Sequence, residues 1–187
     1  MAKTAEQYEE VIAYCRETFC NKAIDYGTAW RILRLPSLTD QIYIKANRIR
    51  SIQEKGEAKV AEGIIPEFVG IVNYAVMALI QLEVGVAMSQ EEVDMDIKTV
   101  TELYDKYIAE AKELMLRKNH DYGEAWRDMF GTSLTDIILT KINRNKSIAA
   151  KDHKTLISEG CDGNYFDMLN YAIFYLIQRS ESSEPNT

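Results

Sequence analysis

Lys45 and Lys141 sit where a helix should bury apolar side chains. Leu38, Ile42, Ile49 and Ile52 recur at spacings of four, seven and three, the stripe of one buried helical face, and Lys45 falls inside it. Lys141 does the same among Leu134, Ile138 and Ile148. Arg48 and Arg144 follow three residues on, on the same side. A cation in an apolar seam needs an anion, because an unpaired buried charge is costly. That anion is a protein carboxylate or a ligand phosphate. The bland alternative is a lysine whose stem covers apolar surface while its ammonium reaches water.

Farther along, Glu159, Gly163, Asp167 and Asn170 are spaced four, four and three, and on one continuous helix they would share a face. Glu159 and Asp167 so placed could hold Mg²⁺ against a phosphate. The competing reading pairs Asp167 with Lys141 or Arg144 as a structural bridge. The first half of the chain offers Glu62, Pro66, Gly70 and Asn73 instead, with no acid opposite Asp167. Asn73 and Asn170 read as buried amides that fix helix register.

These clusters repeat because the chain repeats. Asp25-Tyr26-Gly27-Thr28-Ala29-Trp30-Arg31 returns as Asp121-Tyr122-Gly123-Glu124-Ala125-Trp126-Arg127. Asp25 and Asp121, like Ser37 and Ser133, stand 96 positions apart. After one inserted residue, Asn73-Tyr74-Ala75 returns as Asn170-Tyr171-Ala172. In the aromatic motif, Tyr and Trp either pack a helix junction or face a base, and Asp121 either caps amides or contacts a metal or sugar.

The elements that must position these residues are three helices per repeat. The first spans about Thr4 to Ala23 and Thr99 to Lys118, with Thr4 as a cap and Gly27 and Gly123 suited to positive φ at the end. The second starts at Ser37 and Ser133, where Ser-x-x-Asp resembles a capping box. The third starts near Pro66 and Asp162 and is apolar nearly all round, which places it at the centre. The expectation is an all-α helical bundle of two tandem three-helix repeats with pseudo-two-fold symmetry. Residues 1–88 form repeat 1, 89–98 an acidic linker, 99–180 repeat 2 and 181–187 a flexible tail, with the repeats fused into one globular unit.

A net charge of −7 argues against wholesale binding of a nucleic acid backbone. A weaker option is contact with a nucleic acid end through Arg31, Arg34, Lys45, Arg48 and Arg50. Cys15, Cys20 and Cys161 form no paired framework, and the start lacks a signal-like apolar core, so a cytoplasmic setting is expected. The most apolar stretch, Phe68 to Leu82, is short of a bilayer span and contains Asn73 and Gln81, so no membrane is expected. No Gly-rich phosphate loop, zinc pattern or Ser-His-Asp set is present.

Lys-Asn-x-Asp-Tyr-Gly, then Lys-x-x-Arg on a helix, then Glu…Asp-x-x-Asn-Tyr-Ala, resembles the nucleotide-modification-associated domain 1 family of phages and bacteria. The resemblance covers nearly the whole chain, once per half, and the second copy is the closer match. It implies a role in the synthesis or handling of modified nucleotides. The family's helix three has a further Asp where this chain has Pro66 and Gly163. More distantly, the pattern is similar to the all-α nucleoside-triphosphate pyrophosphatases, which implies Mg²⁺ and pyrophosphohydrolysis. The expected function is binding of a nucleoside phosphate, with Mg²⁺ as the one cofactor admitted. Lys141 and Arg144, with Lys45 and Arg48 as counterparts, would meet phosphate. Asp121, Tyr122, Trp126 and Asn170 would complete the substrate site, and Glu159 and Asp167 would hold metal. The alternative is a non-catalytic interaction module with internally paired charges. A homo-oligomer is compatible with either.

Overall fold

The computed structural model of the chain describes residues 2–56, 63–151 and 160–182. Within them lie helices α1 (Ala2–Tyr26), α2 (Leu35–Lys55), α3 (Ile65–Val84), α4 (Gln90–Val93), α5 (Ile97–Tyr122), α6 (Gly131–Ala150) and α7 (Cys161–Glu181). Single 3₁₀ turns, Ala29–Ile32 and Ala125–Asp128, follow α1 and α5. No strand occurs among the described residues. The fold is all-α, as the two helical patterns predict.

The apolar third helices of the two repeats, α3 and α7, pack on each other at the centre. Phe68 of α3 stacks on Tyr175 of α7 with ring centroids 3.9 Å apart. α2 covers α3, α6 covers α7, and α2 and α6 also meet. That seam carries two reciprocal ion pairs, Asp40 with Lys146 at 2.7 Å and Asp136 with Arg50 at 3.7 Å. At 20 residues, α3 is long and apolar enough to cross a membrane by length and composition, longer than the apolar stretch alone suggests. Here it runs through the core, with most of its side chains buried.

α1 and α5 pack together, and each touches both α3 and α7. Two buried amides fix this exchange. Asn73 Nδ2 donates to the Cys15 carbonyl at 3.1 Å, and its Oδ1 accepts from Tyr104 Oη at 2.9 Å. In the mirror arrangement Asn170 Nδ2 donates to the Ala111 carbonyl at 3.1 Å, and its Oδ1 accepts from Tyr8 Oη at 2.9 Å. Each repeat's asparagine thus takes its hydroxyl from the other repeat, the signature of pseudo-two-fold packing. Asn170→Ala leaves the Tyr8 hydroxyl without its partner in the core and removes a bond to the Ala111 carbonyl, and should cost about 1–3 kcal/mol of stability in urea unfolding. Adding Tyr8→Phe should recover part of that loss, because it removes one orphan. A loss under about 0.5 kcal/mol, the level of a surface change, would contradict this role.

Helix starts differ from the capping pattern. α2 begins at Leu35 with Pro36 in its first turn, and α6 begins at Gly131, so Ser37 and Ser133 lie inside the helices rather than capping them. Proline's fixed φ is preorganised for a first turn, which lets α2 start ahead of Ser37. Gly131 answers a packing demand: a Cβ there would come within 2.8 Å of the Tyr175 ring. Thr4 is also no cap. It is buried within α1, where its hydroxyl donates to Glu124 at 2.6 Å and accepts from Arg127 at 2.7 Å. The linker contains α4, capped by Ser89, and Asp96 caps α5. Residues 183–187 of the expected tail lie outside the described residues.

Candidate functional site

α5 runs through the Asp121-Tyr122 motif and stops at Gly123, whose φ of 64° is the left-handed turn glycine permits. The following 3₁₀ turn is held from behind by Gln178. Its Nε2 lies within 2.8–3.3 Å of the carbonyls of Trp126, Arg127 and Met129. Gln81 binds the Arg31 and Leu33 carbonyls in the same way at 2.8 Å. These glutamines, one per repeat, explain how a short aromatic motif holds its shape. The pattern Asn-Tyr-Ala…Gln recurs in both halves and was available as a signal.

Between the end of α5, the 3₁₀ turn, α6 and α7 lies a cavity of about 340 Å³. Its aromatic wall comprises Tyr122, Trp126, Tyr171 and Phe174. Trp126 is 5% exposed and stacks on Phe174 at 4.3 Å and 4°. The Arg127 guanidinium lies 4.4 Å from the same ring centroid. Two groups that close must take opposite faces, so Trp126 presents an edge, not a stacking face. Its Nε1 donates to Asn119 Oδ1 at 3.2 Å. Tyr122 is 74% exposed and is the ring of this wall open to solvent.

The polar side of the cavity is made of Lys118, Lys141 and Asp167. Lys118 Nζ donates to Asp167 Oδ1 at 2.7 Å, and Lys141 Nζ lies 2.8 Å from Oδ2. The Asp167 side chain is 15% exposed, against 22% for Lys141 and 48% for Lys118. Burial pushes the Asp167 carboxyl up, but the two lysine hydrogen bonds outweigh it and hold its pKa below the ordinary value. Two ammonium groups and one carboxylate leave the cavity lining with a net positive charge.

The structure therefore brings Lys141, Asp167, Tyr122, Trp126 and Asn170 of the sequence-predicted set together around one cavity. Asn170 lines it, although its amide is engaged with Tyr8 and Ala111. Arg144 is exposed and outside the lining. Asp121 is also outside it, 72% exposed and 3.0 Å from His120. Glu159 lies outside the described residues. Lys118 and Asn119 are functional candidates that pattern reading missed, although Lys22 and Lys118 do recur beside the aromatic motif.

Mg²⁺ does not fit the described lining. Asp167 is its only carboxylate and carries two ammonium groups on its two oxygens. A hard divalent ion requires several oxygen ligands. Among the described residues no group of three or more His, Cys, Asp or Glu converges.

Repeat 1 has a smaller counterpart, about 170 Å³, lined by Lys22, Lys45, Gly70, Asn73, Tyr74 and Met77. These occupy the positions of Lys118, Lys141, Asp167, Asn170, Tyr171 and Phe174 in the repeat. Lys45 pairs with Glu67 at 3.2 Å, and Arg48 pairs with the same carboxylate. The acid thus sits one helical turn earlier than in repeat 2, where Asn164 takes the place of Glu67 and bonds Asn145 at 2.7 Å. Gly70 makes room for the displaced lysine. A Cβ there would come within 2.5 Å of Lys45 Cε, so the lysine stem fills the space that Asp167 takes in repeat 2. The two sites share a scaffold, and the second has the open cavity.

No curated protein and no solved structure matches the chain, so the distant likeness to the pyrophosphatases has no support beyond the helix pattern. The sequence profile of one family matches twice, over residues 22–82 and 118–178. Each match begins at the lysine of its cavity, Lys22 or Lys118, and extends to the third helix that closes it. Two matches that together cover more than half of the sequence, each spanning the same scaffold, mean that the chain belongs to the nucleotide modification associated domain 1 family, of which it carries two tandem copies.

Proposed function

We propose that the repeat 2 cavity binds a nucleoside phosphate in the handling of modified nucleotides. The observation that carries this reading is the convergence of Lys118 and Lys141 on one side of a 340 Å³ cavity whose other side is aromatic. Ligand cavities have this character: mostly apolar walls and a few convergent polar groups. The two lysines supply charge-assisted donors to phosphate. Tyr122 and Tyr171 supply surface for a base. The net charge of −7 favours a small free nucleotide over a polyanionic strand.

The reaction proposed is binding alone. Hydrolysis of a phosphoanhydride needs a group that activates water or holds a metal, and Asp167, the one carboxylate of the described lining, is committed to two lysines. A second reading is supported by that same commitment: a scaffold whose charges pair internally, as Glu67 does with Lys45 and Arg48. Repeat 1, with its smaller cavity, suits this scaffold role, and repeat 2 suits ligand binding. Calorimetric titration of nucleotides into wild type and a Lys118→Met, Lys141→Met variant separates the readings. Binding by wild type that the variant loses supports the pocket. No binding by wild type at millimolar nucleotide leaves the scaffold reading.

A further inference from the structure

Resting on that reading, we infer that the pocket selects a nucleoside monophosphate over the corresponding di- and triphosphates. The two ammonium groups are spaced to bridge one small anion, since they already hold the two oxygens of a single carboxylate at 2.7 and 2.8 Å. One phosphate group presents the same kind of paired oxygens. Its charge of about −1.5 to −2 at neutral pH would balance the two lysines once Asp167 turns away from them.

A second and third phosphate would find no further cation in the described lining. Lys118 and Lys141 are the only cationic side chains in the described lining. Arg127, the nearest arginine in sequence to the aromatic wall, is committed to Glu124 at 2.8 Å and Glu181 at 3.0 Å. It also covers Trp126. Extra phosphates would add negative charge to a cavity that already holds Asp167. Sites for triphosphates offset such repulsion with metal ions that bridge the phosphate oxygens, and the described lining has one carboxylate for that purpose. Size agrees with charge. A cavity of about 340 Å³ is near the small end of ligand sites, which run from about 300 to 1,000 Å³. The aromatic wall leaves the nucleoside, rather than a polyphosphate tail, to fill the remaining space.

The test is calorimetric titration of the full chain with the mono-, di- and triphosphates of each common ribo- and deoxyribonucleoside, with and without Mg²⁺, and with the free nucleosides. For the base that binds, the monophosphate should bind at least about tenfold more tightly than the triphosphate and than the free nucleoside. Mg²⁺ should not raise monophosphate affinity. A triphosphate that binds as tightly as the monophosphate, or that gains about tenfold with Mg²⁺, overturns the selection for one phosphate while leaving the nucleotide pocket in place. Equal binding of nucleoside and monophosphate overturns the lysine subsite itself. No binding of any compound overturns the pocket reading on which the inference rests.

Discussion

Asp167→Asn should strengthen nucleotide binding by about tenfold or more. In the ligand-free protein this carboxylate occupies the oxygen positions that a phosphate would take, 2.7 Å from Lys118 Nζ and 2.8 Å from Lys141 Nζ. A phosphate must compete with it for both lysines and tolerate its charge. At an effective dielectric of about 20, a unit charge about 4 Å away exerts up to ~4 kcal/mol, so a tenfold gain, ~1.4 kcal/mol, is a modest share. If Asp167 held a metal for the nucleotide, the same substitution would weaken binding. The sign of the change therefore distinguishes the two roles.

The same variant should fold less stably at neutral pH, by about 1–3 kcal/mol, because the part-buried Lys141 and the exposed Lys118 lose their charged partner. The pH dependence follows from the lowered Asp167 pKa. A carboxyl depressed by folding stabilises the native state above its unfolded pKa of about 3.9, and that stabilisation is lost as pH falls through the folded value. The stability gap between wild type and Asp167→Asn should be widest near neutrality and should close in acid. A gap that stayed constant down to about pH 3 would mean that charge on Asp167 is not what stabilises it.

The second large effect is expected for Lys118→Met, Lys141→Met. Each lysine would give phosphate a charge-assisted bond worth about 1.5–3 kcal/mol, so losing both should weaken binding by more than about a hundredfold. Methionine keeps most of each stem's apolar packing. The double variant leaves Asp167 as an uncompensated carboxylate with 15% side-chain exposure, which itself destabilises the fold. Adding Asp167→Asn removes that charge. The triple variant should regain stability yet remain unable to bind nucleotide. Recovery of binding in the triple variant would place the phosphate elsewhere.

Much of this architecture is legible in the residues. The offset of 96 positions between repeats predicts two copies of one helical unit, and the apolar third segments predict the central α3–α7 pair. Lys141 inside an apolar stripe predicts an acidic or anionic partner, and Asp167 is that partner. Lys118 was legible as part of the recurring Lys-Asn-x-Asp-Tyr-Gly motif, but its contact with Asp167 was not. The lysine comes from near the end of α5, and periodicity within one helix does not say which residues of another helix face it. The shift of the acid from the Asp167 position to Glu67 in repeat 1 is equally hidden. Glu67 is a first-turn residue whose pairing depends on Gly70 letting Lys45 lie against the backbone. Helix starts were misplaced because Pro36 and Gly131, not the serines, set the first turns. The exchange of Tyr8 and Tyr104 between repeats depends on how α1 and α5 cross the core, which local pattern does not encode.

The most direct measurement is a crystal structure of the protein soaked with the nucleoside monophosphate that binds best in titration. The account predicts the phosphate within hydrogen-bond distance of both Lys118 Nζ and Lys141 Nζ, Asp167 turned away from at least one of them, and the base against Tyr122 or Tyr171. A ligand bound away from this cavity, or an intact Lys118–Asp167–Lys141 bridge at saturating nucleotide, would contradict it.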